Sequence, residues 1–390
     1  MIFQAIDDKS ECVGVYVDGK LYFEDFPSDL SKTWSYTGSL KDHVEYAWIH
    51  TQGLTLMEAA PQELQVDLSA ALKKMEAYRR SFQIAKVNLN DHCIFDLVPH
   101  GFLSEFCELK NKITAHVFDT FPPPPNYDHL VGVHRLLHKI SYQELNLNVD
   151  GCRHLLYSST GRLKINELIK NYRHIYYNLF GTVTGRLTTN QHSFPILTLR
   201  KDLRAILKPH NDLFVSMDYN GAEIRTFLDL CGSEQPTVDI HTWNIENIFE
   251  NKDMTRDEAK TLFFAWLYNP ESDQIDDEIY NRKKLLDTCY QNGYITTKYG
   301  RHIKVEERKA LNYLIQSTTA DRVLAKAVMM DKLLEGRSSF VSHIIHDEVV
   351  IDYDDSDRDI MENLKNLFED GYLANINAGK DYYNLNKLDI

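Results

Sequence analysis

The sequence contains no apolar run of the ~18 residues that a membrane-spanning helix needs, so no membrane partner is expected. Its opening, MIFQAIDDKSE, has no basic segment followed by an apolar one, and no secretory leader is expected. The six cysteines, at 12, 93, 107, 152, 231 and 289, form no CxxC pair. That scatter argues against a zinc site and suits a reducing, cytoplasmic compartment. Internal repeats are absent, and the only low-complexity tract is FPPPPN at 121–126, a semi-rigid polyproline segment. Positive charge is also scarce. The formal net charge of −14 taken alone disfavours a nucleic-acid partner.

What is present points elsewhere. At 390 residues the chain can form two or three domains with a sizeable core. Charge is unevenly spread, with ten Lys/Arg against two acids between Arg153 and His210. Such a stretch can follow phosphates or simply be a solvated surface. Residues 1 to about 115 read as α/β. Asp18-Gly19 between GVYV and KLYF is a hairpin signal, VEYAWIHT reads as a third strand, and LSAALKKMEAYRRSF as an amphipathic helix. HLVGVHRLLHKISYQEL and KINELIKNYRHIYYNLF read as helical. The acidic run from Asp352 to Asp359 reads as a solvated edge.

Two carboxylate positions carry the chemistry. In SHIIHDEVVIDY, two apolar strand runs are broken by His346-Asp347-Glu348, where Gly, Asn or Pro would be usual. In LFVSMDYNGAEIRTFLDL, a strand ends at Asp218, Asn220-Gly221 turns, and a helix begins. Carboxylates at two strand tips can meet in one sheet. At ~4 Å two such charges repel by roughly 4 kcal/mol at an effective dielectric of 20. A proton or a cation must sit between them. Hard carboxylate oxygens suit magnesium, and a pair of ions serves phosphoryl transfer. The plain structural alternative for each stretch is a polar turn.

Between these positions, RDEAKTLFFAWLY places Arg256, Lys260, Phe264 and Tyr268 at successive i+4 steps. The stripe runs about 18 Å, cationic first and aromatic last. A nucleoside triphosphate divides the same way, into phosphates and a flat base. The alternative is an amphipathic core helix. RKALNYLIQSTTA likewise aligns Arg308, Asn312 and Gln316, a polar face suited to a duplex minor groove or to solvent.

These residues resemble the polymerase domain of the family A DNA polymerases, the DNA polymerase I family. DYNGAEIR looks like the family's motif A, RDEAKTLFFAWLY like motif B, and HDE like motif C. TGRLTT at 184–189, DIH at 239–241, YITTKYGR at 294–301 and QSTTAD at 316–321 match in order, and NINAGKDYYNL resembles the terminal segment. The likeness covers about residues 180–390 well and 125–180 weakly.

The resemblance implies an α+β, right-hand fold with a palm sheet, helical fingers and a helical thumb. It implies a DNA-templated DNA polymerase that extends a primer 3′-end with deoxynucleoside triphosphates. Asp218 and Asp347 would hold two Mg2+ ions, with Mn2+ as an alternative. Arg256, Lys260 and His241 would contact the triphosphate, Lys260 also serving as general acid. Phe264 and Tyr268 would line the sugar and base site, and Glu223 would exclude a ribose 2′-hydroxyl. Arg186, Arg308, Asn312, Gln316, His346 and Glu348 would contact primer or template. The implied partners are primer-template DNA, a dNTP, and a processivity or replication protein.

The same resemblance implies three parts: an exonuclease-like α/β domain at 1–120, linker and thumb at 121–180, and palm with fingers at 181–390, the fingers at about 240–300. Asn269-Pro270 follows Tyr268 where the family has Gly, and few residues precede GYITTKYGR, so shortened fingers are expected. Ser317 stands where the family has Gly. Near the N-terminus Asp7, Asp8 and Asp96 make no complete metal set, so this domain is expected to be a degenerate exonuclease. The size and trimmed fingers suggest a bacteriophage enzyme acting in the host cytoplasm. A single-subunit RNA polymerase and a non-catalytic DNA-binding relative are the competing readings. Glu223 weighs against the first, and the intact Asp218, Asp347, Arg256 and Lys260 weigh against the second.

Overall fold

The computed structural model describes residues 2–6, 14–36, 40, 44–52, 54–89, 92–251, 253–269, 271–272, 275 and 279–388, with side chains from 14 onward. The chain divides into two compact units, Met1–His138 and Lys139–Ile390. Among the described residues no helix is long and apolar enough to cross a membrane.

The first unit holds a five-stranded mixed sheet. Its strands lie in the order Lys20–Tyr22, Gly14–Val17, Ile2–Ile6, Lys32–Thr33, Glu45–Tyr46. Asp18 (φ 48°) and Gly19 (φ 86°) form the expected two-residue turn. Alternation along Gly14–Val17 splits the core. Val15 and Val17 pack with Leu40 and Val44, while Tyr16 faces Met75, Phe102 and Phe106. Those last three residues come from helices Gln65–Ile84 and His100–Thr120. The strand expected in VEYAWIHT shrinks to Glu45–Tyr46. Asp7 and Asp8 lie outside the described residues, and Asp96 is exposed in the single helical turn Ile94–Leu97.

The second unit is built on a five-stranded antiparallel sheet. Its order is Phe340–Ile345, Glu348–Tyr353, Leu213–Tyr219, Ala374–Gly379, Asn386–Lys387. Leu213–Tyr219 is central and buried along most of its length. Helix Met361–Glu369 covers its end, with Phe368 stacked on Tyr219 at 4.2 Å. A helical layer gathers Phe227, Phe263, Trp266, Tyr280 and Ile315 into one apolar core. These come mainly from helices Ala222–Cys231, Arg256–Tyr268 and Glu307–Leu333.

Two sequence expectations fail here. The helix read through 164–180 ends at Asn171, and Tyr177–Asn178 pairs instead with Thr188–Thr189. The run Ile175-Tyr176-Tyr177 has the β-branched and aromatic character of a strand. The acidic run 352–359 is also not a uniformly solvated edge. Asp352 is 1% exposed and accepts the backbone N–H groups of His210 and Asn211. Asp357 is likewise buried and accepts the Ser339 N–H and an Arg337 hydrogen bond. A carboxylate that accepts several N–H groups tolerates burial, whereas composition alone reads it as surface.

Candidate active site

The central strand delivers Asp218 one residue before its end, directly opposite Glu348 on the neighbouring strand. The chain then turns at Asn220-Gly221 into helix Ala222–Cys231. Gly221 is left-handed at φ 66°, and an added Cβ would stand 2.4 Å from Ile240 Cγ2, so only glycine fits. Asn220 accepts the Ile240 N–H and donates to Asp239. Asp239 caps helix Ile240–Asn244 and accepts Nε and Nη2 of Arg256 at 2.8–3.2 Å. One loop thus ties the motif A turn to the start of helix Arg256–Tyr268.

Asp347 sits at the tip of the hairpin between Phe340–Ile345 and Glu348–Tyr353. His346 holds the left-handed conformation there at φ 53°. That costs roughly 1–2 kcal/mol for an L-residue. Strain of this kind concentrates at functional sites. The missing turn glycine therefore has a reason: the tip presents a carboxylate at the expense of relaxed backbone.

The residues converge on one cavity of about 390 Å³. Arg186, Asp218, Glu223, His241, Arg256, Lys260, Phe264, Tyr268, His346 and Asp347 all line it. The four-residue stripe of Arg256–Tyr268 faces the cavity along its length. A capping box on Thr255 and Glu258 starts this helix. Phe264 and Tyr268 stack at 5.7 Å. Lys260 has no ion-pair partner among the described residues. Glu223 accepts hydrogen bonds from both Arg186 and the Tyr268 hydroxyl.

Two of the three cations that line the cavity are already engaged, Arg186 by Glu223 and Arg256 by Asp239. Burial, then the negative Asp347 and Glu348, push the Asp218 carboxyl up to about 8, against the pull of Lys260. Burial also raises Asp347, although its own backbone N–H, His346, Arg186 and Lys260 oppose the rise. Two half-buried carboxylates lining one cavity form a hard-oxygen donor pair that a divalent cation fits. His241 is pulled down to about 4, first by burial and then by Arg256, so its ring is neutral at pH 7. Its Nδ1 is buried without a hydrogen-bond partner. The Asp239 carboxyl stays well below its usual range. Burial opposes this, but the hydrogen bonds from Arg256, Asn220 and the Thr242 N–H prevail.

Four named residues stand off the cavity lining. Glu348 is turned away, accepting hydrogen bonds from Ser216 at 2.5 Å and Tyr382 at 2.7 Å. Arg308 is exposed and pairs with Glu306 at 2.8 Å. Asn312 is half-buried, and its Oδ1 has no hydrogen-bond partner. Gln316 is half-buried and does not line the cavity. Ser317 is fully buried, and its Oγ has no hydrogen-bond partner.

Sequence reasoning missed several supports. Arg225 is fully buried and donates to the carbonyls of Asn220, Pro236 and Val238 at 2.7–2.8 Å, bracing the loop before Asp239. Arg301 forms a two-point ion pair with the buried Asp321 at 2.6–2.9 Å. Its guanidinium lies against Gly185 (φ 77°), where an added Cβ would come within 2.3 Å of Nη2. The Gly185 turn delivers Arg186 to the cavity. The YGR and QSTTAD matches were the available signal for this pair, without its geometry.

No protein-family model matches the chain. Thermostable DNA polymerase I of Thermus aquaticus is 26% identical over 275 residues, 56% of this chain and 32% of that protein. That of Thermus caldophilus is 24% identical over 365 residues, 78% and 42% respectively. DNA polymerase I of Chloroflexus aurantiacus is 24% identical over 254 residues, 52% and 26%. The chain thus spans less than half the length of these curated relatives. Among solved structures, the POL domain of Pol1 from M. smegmatis, in complex with DNA primer-template and dNTP, superimposes with a TM-score of 0.56 at 13% identity. The match covers 73% of this chain and 76% of that one, and it shows the shared fold. Sequence likeness and fold together support a family A polymerase domain.

Proposed function

We propose that the chain is a DNA-templated DNA polymerase, extending a primer 3′-end with deoxynucleoside triphosphates. The observation that carries this reading is convergence. Two half-buried carboxylates and a stripe of Arg256, Lys260, Phe264 and Tyr268 line one cavity. Family A DNA polymerases generally use divalent metal ions, and Asp218 and Asp347 are the residues that would hold them. Bound there, a pair of Mg2+ or Mn2+ ions supplies Lewis-acid activation of the primer hydroxyl and of the leaving pyrophosphate.

The chain's own groups supply the rest. Arg256 and Lys260 neutralise the triphosphate, and Lys260 is placed to protonate the leaving oxygen. Neutral His241 adds a polar contact without another charge. Phe264 and Tyr268 pack on sugar and base. Glu223, held between Arg186 and Tyr268, occupies the space that a ribose 2′-hydroxyl would need. Arg186, Arg308, Asn312, Gln316 and His346 contact primer or template. Glu348, turned toward Tyr382, acts on that contact indirectly.

Residues 1–120 form a degenerate, non-catalytic exonuclease-like domain in this reading. Residues 121–180 serve as linker and thumb, and 181–390 as palm and shortened fingers. A replication protein would supply processivity, in the cytoplasm of the host if a bacteriophage encodes the chain.

Primer extension on a recessed duplex with magnesium tests all of this together. Deoxynucleotides should be incorporated and ribonucleotides should not. Without nucleotides the primer should keep its length. Failure to extend would remove the polymerase reading, and shortening would reveal a working exonuclease.

A further inference from the structure

Strand Phe340–Ile345 is the outer strand of its sheet. Among the described residues it pairs on one side only, with Glu348–Tyr353, and its register shifts between Val341 and His343. An outer strand leaves a row of peptide groups without ladder partners. This one also ends in the strained tip that carries Asp347. Its geometry therefore needs support from outside the ladder.

Tyr177 supplies that support. Its hydroxyl donates to the Ile344 carbonyl at 2.6 Å and accepts the Ile344 N–H at 2.9 Å. A single phenol oxygen thus satisfies both peptide groups of one residue, as a neighbouring strand would. Tyr177 is 8% exposed, so water does not replace it freely. The anchor point lies three residues before Asp347. Tyr177 itself belongs to the short pair Tyr177–Asn178 with Thr188–Thr189, whose connecting loop carries Arg186. The same residue therefore links the piece of chain that presents Arg186 to the piece that presents Asp347.

We propose that Tyr177 is a positioning residue, its hydroxyl fixing the Asp347 tip relative to Arg186 across the cavity. The catalytic consequence rests on the polymerase reading, but the mechanical link does not. Tyr177→Phe removes one oxygen and leaves two buried peptide groups without partners. The outer strand should then open locally more often.

The test uses the full chain and three readouts. Amide hydrogen exchange at Ile344 should accelerate about tenfold or more in Tyr177→Phe. Mn2+ binding to the nucleotide-free protein, followed by electron paramagnetic resonance, should weaken severalfold. In primer extension kcat should fall about tenfold, while the dNTP KM and primer-template Kd stay within about twofold. Unchanged exchange and Mn2+ affinity would overturn the proposal. So would a parallel decline of every parameter with Tm, the mark of general destabilisation. A wild-type chain that binds Mn2+ yet never extends a primer would sink the polymerase reading, leaving the first two readouts to judge Tyr177. Should Tyr177→Phe not fold, exchange in the wild type decides. Ile344 must then exchange as slowly as the ladder-bonded amides of 349–351, and fast exchange rejects the anchor.

Discussion

Glu223 accepts a hydrogen bond from the Tyr268 hydroxyl, joining the first turn of one cavity helix to the last residue of another. Arg186 holds the second carboxylate oxygen. Both carboxylate oxygens are thereby held, which is what the proposed role of Glu223 in excluding a ribose 2′-hydroxyl requires. Glu223→Ala should raise ribonucleotide use by roughly tenfold to a hundredfold relative to deoxynucleotides. Competition between the two nucleotide types in primer extension measures it. Unaltered sugar selectivity would refute the gate.

Asp347→Ala removes one of the two carboxylates while leaving the apolar strands around it intact. Synthesis should fall about a thousandfold or more, the scale of losing several kcal/mol of charge stabilisation. Duplex affinity should change little, because the removed group carries the wrong charge for phosphate binding. Filter binding and primer extension on the same preparation separate the two effects.

The burial of Asp218 makes a prediction about pH. Its carboxyl is raised from 3.8 to about 8 in the folded chain. Between those values the folded chain keeps a proton that the unfolded chain has released. The contribution of this carboxyl to the stability of the metal-free protein therefore falls as pH rises from about 4 to about 8. Asp218→Asn abolishes this term. At pH 8 with EDTA the variant should melt several degrees above wild type, and the gap should close toward pH 4. Magnesium should raise the wild-type Tm at pH 8 and leave the variant's nearly unmoved. Equal melting of both proteins across the range would contradict the assigned environment.

Gly185→Ala forces a methyl group into the Arg301 guanidinium and imposes an unfavourable φ. A loss of roughly 1–3 kcal/mol is expected, a Tm drop of about 2–4 °C for each kcal/mol. Arg301→Ala in the same chain should make the added methyl less costly. Thermal melts of the two single variants and the double variant measure the coupling. Strict additivity would show that the Arg301 contact is not the cause.

The legible parts of this site were those set by local spacing. Arg256, Lys260, Phe264 and Tyr268 share a face because a helix repeats every 3.6 residues, and their order along the cavity follows. The hairpin at His346-Asp347 was readable from two apolar runs and a polar break. The illegible parts depend on partners distant in sequence. Glu348 stands beside Asp347 in sequence, yet Tyr382 and Ser216 draw it out of the cavity. Asp352 reads as surface until His210 and Asn211 are seen to donate to it. Tyr177 reads as the end of a helix, and its role appears only once Ile344 lies beside it. Such contacts leave no periodic trace.

The two cavity carboxylates are mounted differently. Asp218 stands on a strand with ladder partners on both sides, Glu348 and Asn375. Asp347 stands at the turn of the outer hairpin, whose inner strand pairs with the strand of Asp218 and whose outer strand has no strand on its far side among the described residues. The spacing between the two carboxylates is therefore set on one side by a doubly flanked strand, and on the other by the peptide groups just before Asp347 that Tyr177 holds.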